Sequence, residues 1–566
     1  MRQLNRLNQF QRLWHASQGQ RQLTSVTEMA SRCFCSERHM RTLLGQWQHQ
    51  GWLSWQAQSG RGRRGELRFL KTPDLIRREL LQQQLTLGQP HHVLELINLE
   101  PAQLSQLLKP FMGGQWQDDR PTLRIPYYRP LDPLQLPDVP GRAEQHLARQ
   151  IYAGLTRFVD NKVAPDLAHH WQCSAEGLSW FFFLRPQLYW HNGERVDSLQ
   201  LLHRLQQIRD SQTGRKLLAA VKSLTLPQAL CLRIDLHTPD SWLPYRLATV
   251  PCLLAHPDEE RLGTGPWRIA AWSRELIRIE NHERYHDSHP LMQAVEYWIT
   301  PQLFDQAQGN SCRHPVQIAI GQPDELAQLR PVSRRLSLGF CYMAINQKAA
   351  LTPQQRQKLM GLIQSQGMID SLPLQEGLIA PSHEILPGWK VPDYGGNEAV
   401  ALPATLHLHY HLPVELHAMA ERLRSVLAEE GCELSLHFHA GKTWQACEGL
   451  EKADLIMGDR LIGEAPEFTL ENWLRLDRLW PAILGEVACA DLLSALDRLQ
   501  RSASERDRHG ALQQVFHRLM SQAVITPLFN YRYQISAPPG VEGIALNARG
   551  WFDFSRAWIP PPVAIV

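Results

Sequence analysis

The sequence has few cysteines and lacks the apolar runs that mark exported and membrane-bound chains. Ten cysteines are scattered over 566 residues, without the repeated C-x-x-C spacing of a zinc ribbon, so we expect reduced thiols. The first residues contain no apolar stretch of about seven residues as in a secretory signal. No apolar run approaches the ~18 residues that span a bilayer. These absences predict a cytoplasmic location and no membrane partner.

The motifs of several enzyme classes are also missing. The chain contains no G-x-x-x-x-G-K-[ST], no G-x-S-x-G and no H-E-x-x-H, the patterns of a phosphate loop, a nucleophilic serine and a zinc-binding histidine pair. Paired acids are too scattered to indicate a hydrolase. We therefore predict no catalytic residues, no cofactor and no enzyme activity.

Two patterns of metal-ligating residue types are present but have simpler interpretations. His407, His409 and His411 alternate along a predicted strand, which places them on one face. The nearby histidines are His417, His437 and His439. Partly exposed strand histidines explain this pattern without an ion, and the pair Cys33 and Cys35 is interpreted as packing. We predict no metal site.

The charge of the chain is unevenly distributed. A chain of 566 residues is too long for one core and suggests about three or four domains or lobes. Residues 1–71 carry twelve Arg and Lys against three Asp and Glu, a net charge of +9. The remaining residues must carry −6, because the whole chain sums to +3. A positive field concentrated on one small segment indicates a polyanionic partner.

The first fifty residues predict three helices. Apolar residues recur at helical spacing over residues 4–14. A second helix begins at the capping box Ser25-Val-Thr-Glu28. Ser36 caps a third helix over residues 37–50, which carries an apolar stripe at i, i+3, i+4 and i+7. The stripe consists of Met40, Leu43, Leu44 and Trp47.

The opposite face of the third helix has the chemistry of a DNA reader. It carries Arg38, Arg41 and Thr42, with His39 on the flank and Ser36 at the cap. Arginine, histidine and hydroxyl side chains reach base edges or phosphates when such a helix lies in a major groove. These five residues are candidate contacts to double-stranded DNA.

A basic hairpin follows the third helix. Residues 52–57 and 66–70 read as two strands, and the turn between them carries Arg61, Arg63 and Arg64 among glycines. Three helices and such a hairpin predict a winged helix-turn-helix whose wing lies along phosphates or enters a minor groove. The alternative is a solvated cap or a protein-interaction module.

The domain division follows from these patterns. We predict a winged helix-turn-helix domain at 1–71 and a bridge of short helices at 72–118, with Gly113-Gly114 near the boundary. Residues 119–566 alternate strands, loops and helices, as expected of a two-lobed α/β domain.

A series of motifs in the larger part carries a family resemblance. They are Leu131-Asp-Pro133, Asp166-Leu-Ala-His-His-Trp171, Gly177-Leu-Ser-Trp-Phe-Phe-Phe-Leu-Arg185, Leu188-Tyr-Trp-His-Asn-Gly193 and Gly263-Thr-Gly-Pro266. In this order they resemble the solute-binding proteins of dipeptide and oligopeptide ABC transporters. The resemblance implies a periplasmic-binding-protein-like fold of class II. Lobe I would comprise about 119–266 and 493–566, and lobe II about 267–492.

The joint architecture resembles the SgrR family of transcriptional regulators, in particular its YbaE-type branch. The resemblance implies a cytoplasmic regulator whose C-terminal domain senses a metabolite by lobe closure. A sugar phosphate and a peptide are both candidate ligands, and an oligomer is possible. We place a lobe crossing at Gly263-Thr-Gly-Pro266, where glycines allow unusual dihedrals; a simple tight turn is the alternative.

The resemblance also suggests where a ligand lies. Tyr127, Tyr128 and Arg129 follow the first strand, where similar proteins line their cleft, and Arg129 has the fork that binds a carboxylate or phosphate. Peptide binders of this kind use an acidic residue in a later loop. Here that loop is Met457-Gly-Asp-Arg-Leu-Ile-Gly-Glu-Ala-Pro466, which departs from the family pattern. Its candidates are Asp459, Arg460 and Glu464, and solvated loop charges are the alternative.

The sequence therefore predicts a DNA-binding regulator that senses a small molecule. The alternative function is a cytoplasmic solute- or peptide-binding protein whose N-terminal domain makes protein contacts.

Overall fold

The architecture is described from a computed structural model of the chain. The described residues are 2–58, 64–86, 108–117, 120–139, 141–301, 316–317, 331–365, 367–374, 377–395, 399–411, 414–441, 444, 447–536, 540–547 and 552–561.

The N-terminal part is a winged helix-turn-helix, as its sequence predicts. Its helices are α1 (Arg2–Ala16), α2 (Val26–Arg32), α3 (Glu37–His49) and α4 (Pro73–Thr86), and its strands are β1 (Gln22–Thr24), β2 (Leu53–Gln56) and β3 (Gly65–Phe69). The strands form an antiparallel sheet in the order β1-β3-β2. The three helices and the hairpin are confirmed, and β1 is an addition that the sequence analysis missed. We call these seven elements the head.

The head folds around an aromatic centre. Phe10 meets Trp47, Trp52 and Phe69 edge to face at 5.5–5.7 Å between ring centroids, a favourable geometry for aromatic pairs. The predicted apolar stripe of α3 is buried against this centre. Buried Cys33 belongs to the same core, and burial raises the pKa of its thiol to about 11. This confirms the packing interpretation of Cys33.

The predicted bridge is wrong as a separate unit. In α4, Ile76 and Leu80 are buried in the core of the head, and Arg77 donates to Gln11 Oε1 at 3.0 Å. Gly113-Gly114, predicted as a boundary, lies inside a strand, β4 (Gly113–Gln117), which pairs with the next strand. The rest of the predicted bridge, residues 87–107, lies outside the described residues. Local apolar spacing found the helix but not the partner that it packs against.

Lobe I contains two main sheets. Its further strands are β5 (Arg120–Tyr127), β6 (Thr156–Val159), β7 (Lys162–Pro165), β8 (Ala168–Cys173), β9 (Ser179–Leu184), β10 (Val221–Gln228), β11 (Cys231–Leu236), β12 (Trp267–Trp272), β13 (Leu276–Asn281) and β14 (Ala294–Ile299). Its helices are α5 (Arg142–Ile151), α6 (Ser198–Asp210), α7 (Gln212–Leu217) and α8 (Leu243–Leu247). One sheet has the order β12-β13-β14-β5-β4, the other β10-β11-β9-β8, and β6 pairs with β7.

Lobe II is built on one seven-stranded sheet. Its strands are β15 (Val316–Gln317), β16 (Pro331–Ile345), β17 (Ile379–Pro381), β18 (Thr405–His411), β19 (Glu433–His439), β20 (Leu455–Arg460) and β21 (Ile525–Ser536). Its helices are α9 (Pro353–Gln364), α10 (Val414–Glu429), α11 (Pro466–Leu476), α12 (Leu479–Ile483), α13 (Glu486–Arg501) and α14 (Glu505–Ser521). The order is β15-β21-β16-β20-β18-β19, with β17 on β21. The short strands β22 (Ala545–Leu546) and β23 (Phe552–Asp553) follow.

The predicted lobe boundaries are wrong at both ends. Strands β12 to β14, assigned to lobe II, pair in one sheet with β5 of lobe I. Residues 493–536, assigned to lobe I, supply α14 to the apolar core around Trp473 and β21 to the sheet of lobe II. The chain returns to lobe I with Val541, which lies beside Gly114 of β4, and with Phe554, whose ring lies 5.6 Å from that of Trp267 in β12. Strand pairing across more than a hundred residues leaves no local signal in the sequence.

The turn predicted as a crossing has a different reason for its glycines. Neither Gly263 nor Gly265 is among the residues with positive φ. A Cβ on Gly263 would stand 2.0 Å from the carbonyl oxygen of Ile151 at the end of α5, and one on Gly265 2.5 Å from that of Gln150. Glycine is needed here for close backbone approach rather than for unusual dihedrals.

The head packs directly on lobe I. Strand β14 is buried along its whole length. Val295 and Tyr297 belong to the large apolar core that lobe I shares with lobe II, whereas Trp298, together with Leu276 of β13, belongs to the apolar core of the head. Since successive side chains of a strand face opposite sides, the head covers the outer face of this sheet.

None of the helices in the described part of the chain is long and apolar enough to cross a bilayer. The nine described cysteines are free thiols.

Replacing Trp298 by Ala is expected to weaken this junction. Loss of a buried tryptophan costs about 3–5 kcal/mol through lost transfer energy and the cavity left behind. Urea unfolding followed by circular dichroism should show that loss, and amide exchange in α1 should accelerate. Trp558→Ala is the matched control because Trp558 is 41% exposed. Equal losses in the two variants would contradict the shared core.

Candidate DNA-binding surface and ligand cleft

Helix α3 presents the predicted reading face to solvent. Arg38, His39, Arg41 and Thr42 are all exposed, while the four residues of the stripe are buried. The helix starts where predicted, since Ser36 Oγ accepts a hydrogen bond from the backbone N–H of His39 at 3.2 Å. The side chain of Ser36 thus acts as a helix cap, which fixes the N-terminal end of the face.

Each of the three acids in residues 1–71 is paired with an arginine. Glu28 pairs with Arg64 at 2.7 Å, Glu37 with Arg41 at 3.0 Å and Glu66 with Arg21 at 2.8 Å. The three arginine side chains are 63–69% exposed. Exposed ion pairs contribute only about 0–1 kcal/mol, so a phosphate can replace the carboxylate at little cost.

The base of the wing is held against α2. The pKa of Glu28 is lowered, first by the hydrogen bond from Thr24 and then by Arg64. The same carboxylate closes the predicted capping box at Ser25, so Arg64 is tied to the start of α2. Arg61 and Arg63, the other predicted wing contacts, lie outside the described residues.

The turn before α3 carries a surface residue that the sequence analysis missed. Phe34 is 84% exposed and has a φ of +54°. Its N–H donates to Ser31 O, and that of Cys35 to Ala30 O, the pattern of a Schellman motif usually built with glycine. A non-glycine residue in this conformation costs about 1–2 kcal/mol. The sequence feature that could have indicated this residue is a phenylalanine at a helix end, where glycine is usual.

In lobe I the predicted ligand residues meet an internal partner. Tyr127 is buried and Tyr128 partly buried, and the guanidinium of Arg129 lies 5.9 and 5.8 Å from their ring centroids. Arg129 donates to both carboxylate oxygens of Glu144 on α5, at 2.6 and 3.0 Å. The fork that the sequence analysis assigned to a ligand is therefore occupied by Glu144. Ligand binding through Arg129 stays a prediction that requires this pair to open.

The pair is electrostatically stable. Burial by itself would lower the pKa of Arg129 and raise that of Glu144. Their hydrogen bond and mutual attraction outweigh burial, so that the pKa of Arg129 is raised and the pKa of Glu144 lowered. Both groups are therefore charged at neutral pH, and a bound anion has to compete with Glu144.

In lobe II the predicted loop residues lie at the carboxyl end of a strand. Strands β18, β19 and β20 are parallel, and ligands of α/β sheets bind outside such ends. Asp459 and Arg460 close β20 and are partly buried. Glu464 is partly buried in the turn before α11. The guanidinium of Arg460 lies 5.8 Å from the Trp473 ring.

Asp459 adjoins a buried polar group. Its Oδ1 lies 3.9 Å from Nδ1 of His411, which closes β18. Trp444 stacks edge to face on His411 at 4.6 Å and donates through Nε1 to Tyr342 Oη at 2.9 Å. The structure thus combines a carboxylate, an imidazole and an indole at one end of lobe II, and His411, Trp444 and Tyr342 are additions to the predicted set.

The predicted ligand residues of lobe I and lobe II do not line the three main surface pockets. One pocket, of about 490 Å³, is lined mainly by residues of α9 and by residues 391–395. A second, of about 700 Å³, is lined by β19 and the end of α10, and a third, of about 570 Å³, by residues around Arg185 and Arg284. None of these three is lined by Arg129 or Asp459.

A buried arginine joins the lobes. Arg246 of lobe I, 1% exposed, donates to Asp240 at 2.7 Å, to Glu471 of α11 at 3.3 Å and to Gln500 of α13 at 3.4 Å. Burial alone would lower the pKa of Arg246, but the two carboxylates raise it above its ordinary value. Beside this network, Phe468 of α11 packs on Trp242 and on neighbouring rings of lobe I.

Two family models match the chain in the order of its domains. Residues 5–119 match the N-terminal model of a sugar transport-related sRNA regulator. Residues 162–370 match the middle model of bacterial extracellular solute-binding proteins, family 5. Fold and matches together define the class: a winged-helix head joined to a two-lobed family 5 solute-binding domain.

The relatives extend over the full length. An uncharacterized protein named YbaE from Escherichia coli strain K12 is 54% identical over 564 residues, covering 99% of this chain and 100% of the relative. The HTH-type transcriptional regulator SgrR of Yersinia enterocolitica is 28% identical over 574 residues, covering 98% of both. The chain belongs to the SgrR family, in the branch that includes YbaE, which confirms the resemblance.

Solved structures agree on the fold of the larger part. NikA from Brucella suis, in complex with Fe(III)-EDTA, has a TM-score of 0.65 at 18% identity and covers 78% of this chain and 100% of its own. OppA from Burkholderia pseudomallei has a TM-score of 0.60 at 16% identity, with coverages of 79% and 100%. At this level of identity the likeness shows the fold alone.

Replacing Glu144 by Gln is expected to change the pH dependence of stability. The folded-state pKa of Glu144 lies below its unfolded value of about 4.3, so the pair stabilises the fold above that pH and this contribution is lost as the pH falls. The free energy of unfolding of the wild type should exceed that of the variant by roughly 3 kcal/mol at pH 7. This difference should become smaller below about pH 4.3. Urea titrations across pH measure this, with exposed Glu176→Gln as control. A difference in unfolding free energy that does not change with pH would show that the Arg129–Glu144 pair does not stabilise the fold.

Proposed function

We propose that this protein is a cytoplasmic DNA-binding transcriptional regulator that responds to a small molecule bound by its two-lobed domain. The observation that carries the proposal is the exposed arginine face of α3 on a head that shares its core with lobe I. A relative over nearly the full length is named an HTH-type transcriptional regulator. Neither matched family description names a reaction, which supports regulation rather than catalysis.

On DNA, α3 lies in a major groove of the duplex. Arg38 is directed to base edges, while Arg41 and Arg64 exchange their carboxylate partners for phosphates. Ser36, His39 and Thr42 flank the same contact, and Arg61 and Arg63 extend it along the wing. The net charge of +9 on residues 1–71 supplies the sequence-independent attraction.

In the sensor domain, the ligand lies between Arg129 with its two tyrosines and the carboxyl end of β20. Asp459 suits an amino group, and Arg129, released from Glu144, suits a carboxylate or phosphate. A peptide offers both groups, and a sugar phosphate offers only the anion. A ligand that contacts both lobes favours the arrangement in which those contacts form.

The response reaches DNA through the junction at Trp298. Because the head is packed on lobe I, a movement of lobe II relative to lobe I also moves lobe II relative to the head. That movement changes how the head is presented to DNA or how two copies of the chain pair.

The first test measures DNA affinity of the full chain over a range of salt concentrations. On mixed-sequence duplex, Arg64→Ala should weaken binding and reduce the slope of log affinity against log salt by about one. On a duplex selected by the protein from a random library, Arg38→Ala should reduce discrimination by about 1–3 kcal/mol.

Arg501→Ala is the matched control, because Arg501 is an exposed arginine at the end of α13 in lobe II. Its affinity and salt slope should equal those of the wild type. If all three variants show the same slope of log affinity against log salt as the wild type, the result favours a solute-binding protein. The head of such a protein, with its exposed Phe34, would make protein contacts.

The second test measures thermal stability against a panel of small peptides and sugar phosphates. A ligand at one hundred times its Kd stabilises the fold by about 2.7 kcal/mol. A peptide that binds through Asp459 should lose its shift in Asp459→Asn, while exposed Asp491→Asn keeps it. If only sugar phosphates raise the melting temperature, the ligand site is the anion site at Arg129. If a peptide raises the melting temperature of Asp459→Asn as much as that of the wild type, Asp459 is not a ligand residue.

A further inference from the structure

Histidines gather on one face of the edge of the lobe II sheet. Parallel β18 and β19 place His409 opposite His437 and His411 opposite His439. His407 lies on the same face, with Nδ1 at 3.2 Å from Nε2 of His437. The other face of β18 packs through Leu406 and Leu408 into the large apolar core, so the histidines face away from it. The predicted common face of His407, His409 and His411 is confirmed.

Three of the donors on this face converge. Nε2 of His439 lies 3.0 Å from Nδ1 of His409 and 3.6 Å from Sγ of Cys447. One ligand atom from each of the three residues can be chosen so that all lie within 4.8 Å of one another. Cys447 belongs to a different segment from the two strands, so its approach is a tertiary contact that strand periodicity does not produce.

Two of the three converging donors are shielded from water, and His439 is partly exposed. His409 is 9% exposed and Cys447 6% exposed. Trp444 packs edge to face against His439, at 6.0 Å between centroids, and its indole N–H is held by Tyr342. A low-dielectric wall of this kind strengthens coordination.

We propose that His409, His439 and Cys447 form a binding site for a zinc-type divalent cation, with His437 or a water as fourth ligand. In a tetrahedral zinc site, bond lengths of about 2.0–2.3 Å separate neighbouring ligand atoms by about 3.3–3.7 Å. With Nε2 of His439 as its ligand atom, the observed separations are 3.0 Å to Nδ1 of His409 and 3.6 Å to Sγ of Cys447, within a few tenths of an ångström of these values. Among the residues that the structure describes, this is the group found with three such donors in mutual reach.

The donor set selects the class of metal. Two imidazoles and a thiol suit zinc and other soft or borderline ions, whereas calcium and magnesium prefer oxygen ligands. The ring of His437 lies 4.7 Å from that of His409, which makes it a candidate for the fourth position. Binding requires the thiolate, so the thiol proton of Cys447 is released to solvent when the metal binds.

Such a site would cross-link three segments of lobe II. It joins β18, β19 and the chain at Cys447, all beside the carboxyl end of β20. Residue His411, which adjoins Asp459, lies two positions from His409 on the same strand. The metal would thereby fix the part of lobe II that carries the proposed ligand residues, although the site itself does not depend on the proposed function.

The test titrates the full-length, chelator-treated chain with Co²⁺ and then displaces it with Zn²⁺. Thiolate coordination gives cobalt an intense charge-transfer absorption in the near ultraviolet. The wild type should develop this band with one equivalent of metal, and zinc should remove it. Cys447→Ser should abolish the band, while Cys489→Ser, at a partly exposed cysteine of α13, should keep it.

The histidines are tested separately, so that a folding defect of one variant does not decide the outcome. His409→Asn should lower zinc affinity at least tenfold in competition with a chromophoric chelator, while exposed His203→Asn on α6 should leave it unchanged. Circular dichroism confirms the fold of each variant. Cobalt binding without the charge-transfer band, or zinc affinity unaltered in both Cys447→Ser and His409→Asn, would overturn the proposal.

Discussion

The packing of the head on the five-stranded sheet of lobe I is the contact on which the rest of the molecule depends. Trp298 reaches the apolar core of the head, and behind it buried Glu296 accepts from both its indole N–H and Arg124 at 2.9 Å. A buried charge pair is tolerated only when its geometry and hydrogen bonds are complete. The network therefore holds the indole in one orientation, so that the head behaves as part of lobe I rather than as a tethered domain.

A second constraint sets how the lobes meet. Arg246 is buried between Asp240 and Glu471, and Glu471 also binds Arg475 at 2.7 Å. Desolvation removes much of the net stability of such a network, but loss of one member leaves a buried charge uncompensated. The arrangement consequently favours one relative position of the lobes over near alternatives. Any movement that separates Arg246 from Glu471 has to overcome this penalty.

Short-range features could be predicted from the sequence, and long-range pairing could not. The caps at Ser25 and Ser36 and the stripe of α3 depend on spacings of three and four residues, and all are confirmed. The lobe boundary was wrong because β14 pairs with β5, and the buried pair of Arg124 and Glu296 joins residues 172 positions apart. The internal partner of Arg129 could not be predicted for a related reason: nothing local shows that Glu144, fifteen residues later on α5, accepts its hydrogen bonds.

The same distinction explains why the chemistry of lobe II becomes visible only in three dimensions. Period-2 spacing in β18 places its histidines on one face, but the parallel strand β19 brings His439 to His409 and a separate segment brings Cys447. Parallel strands end together, so His411, His439 and Asp459 gather at one edge although they are 20–48 residues apart in sequence. Asp459, a proposed ligand residue, and the histidine cluster are thus neighbours as a direct consequence of strand order.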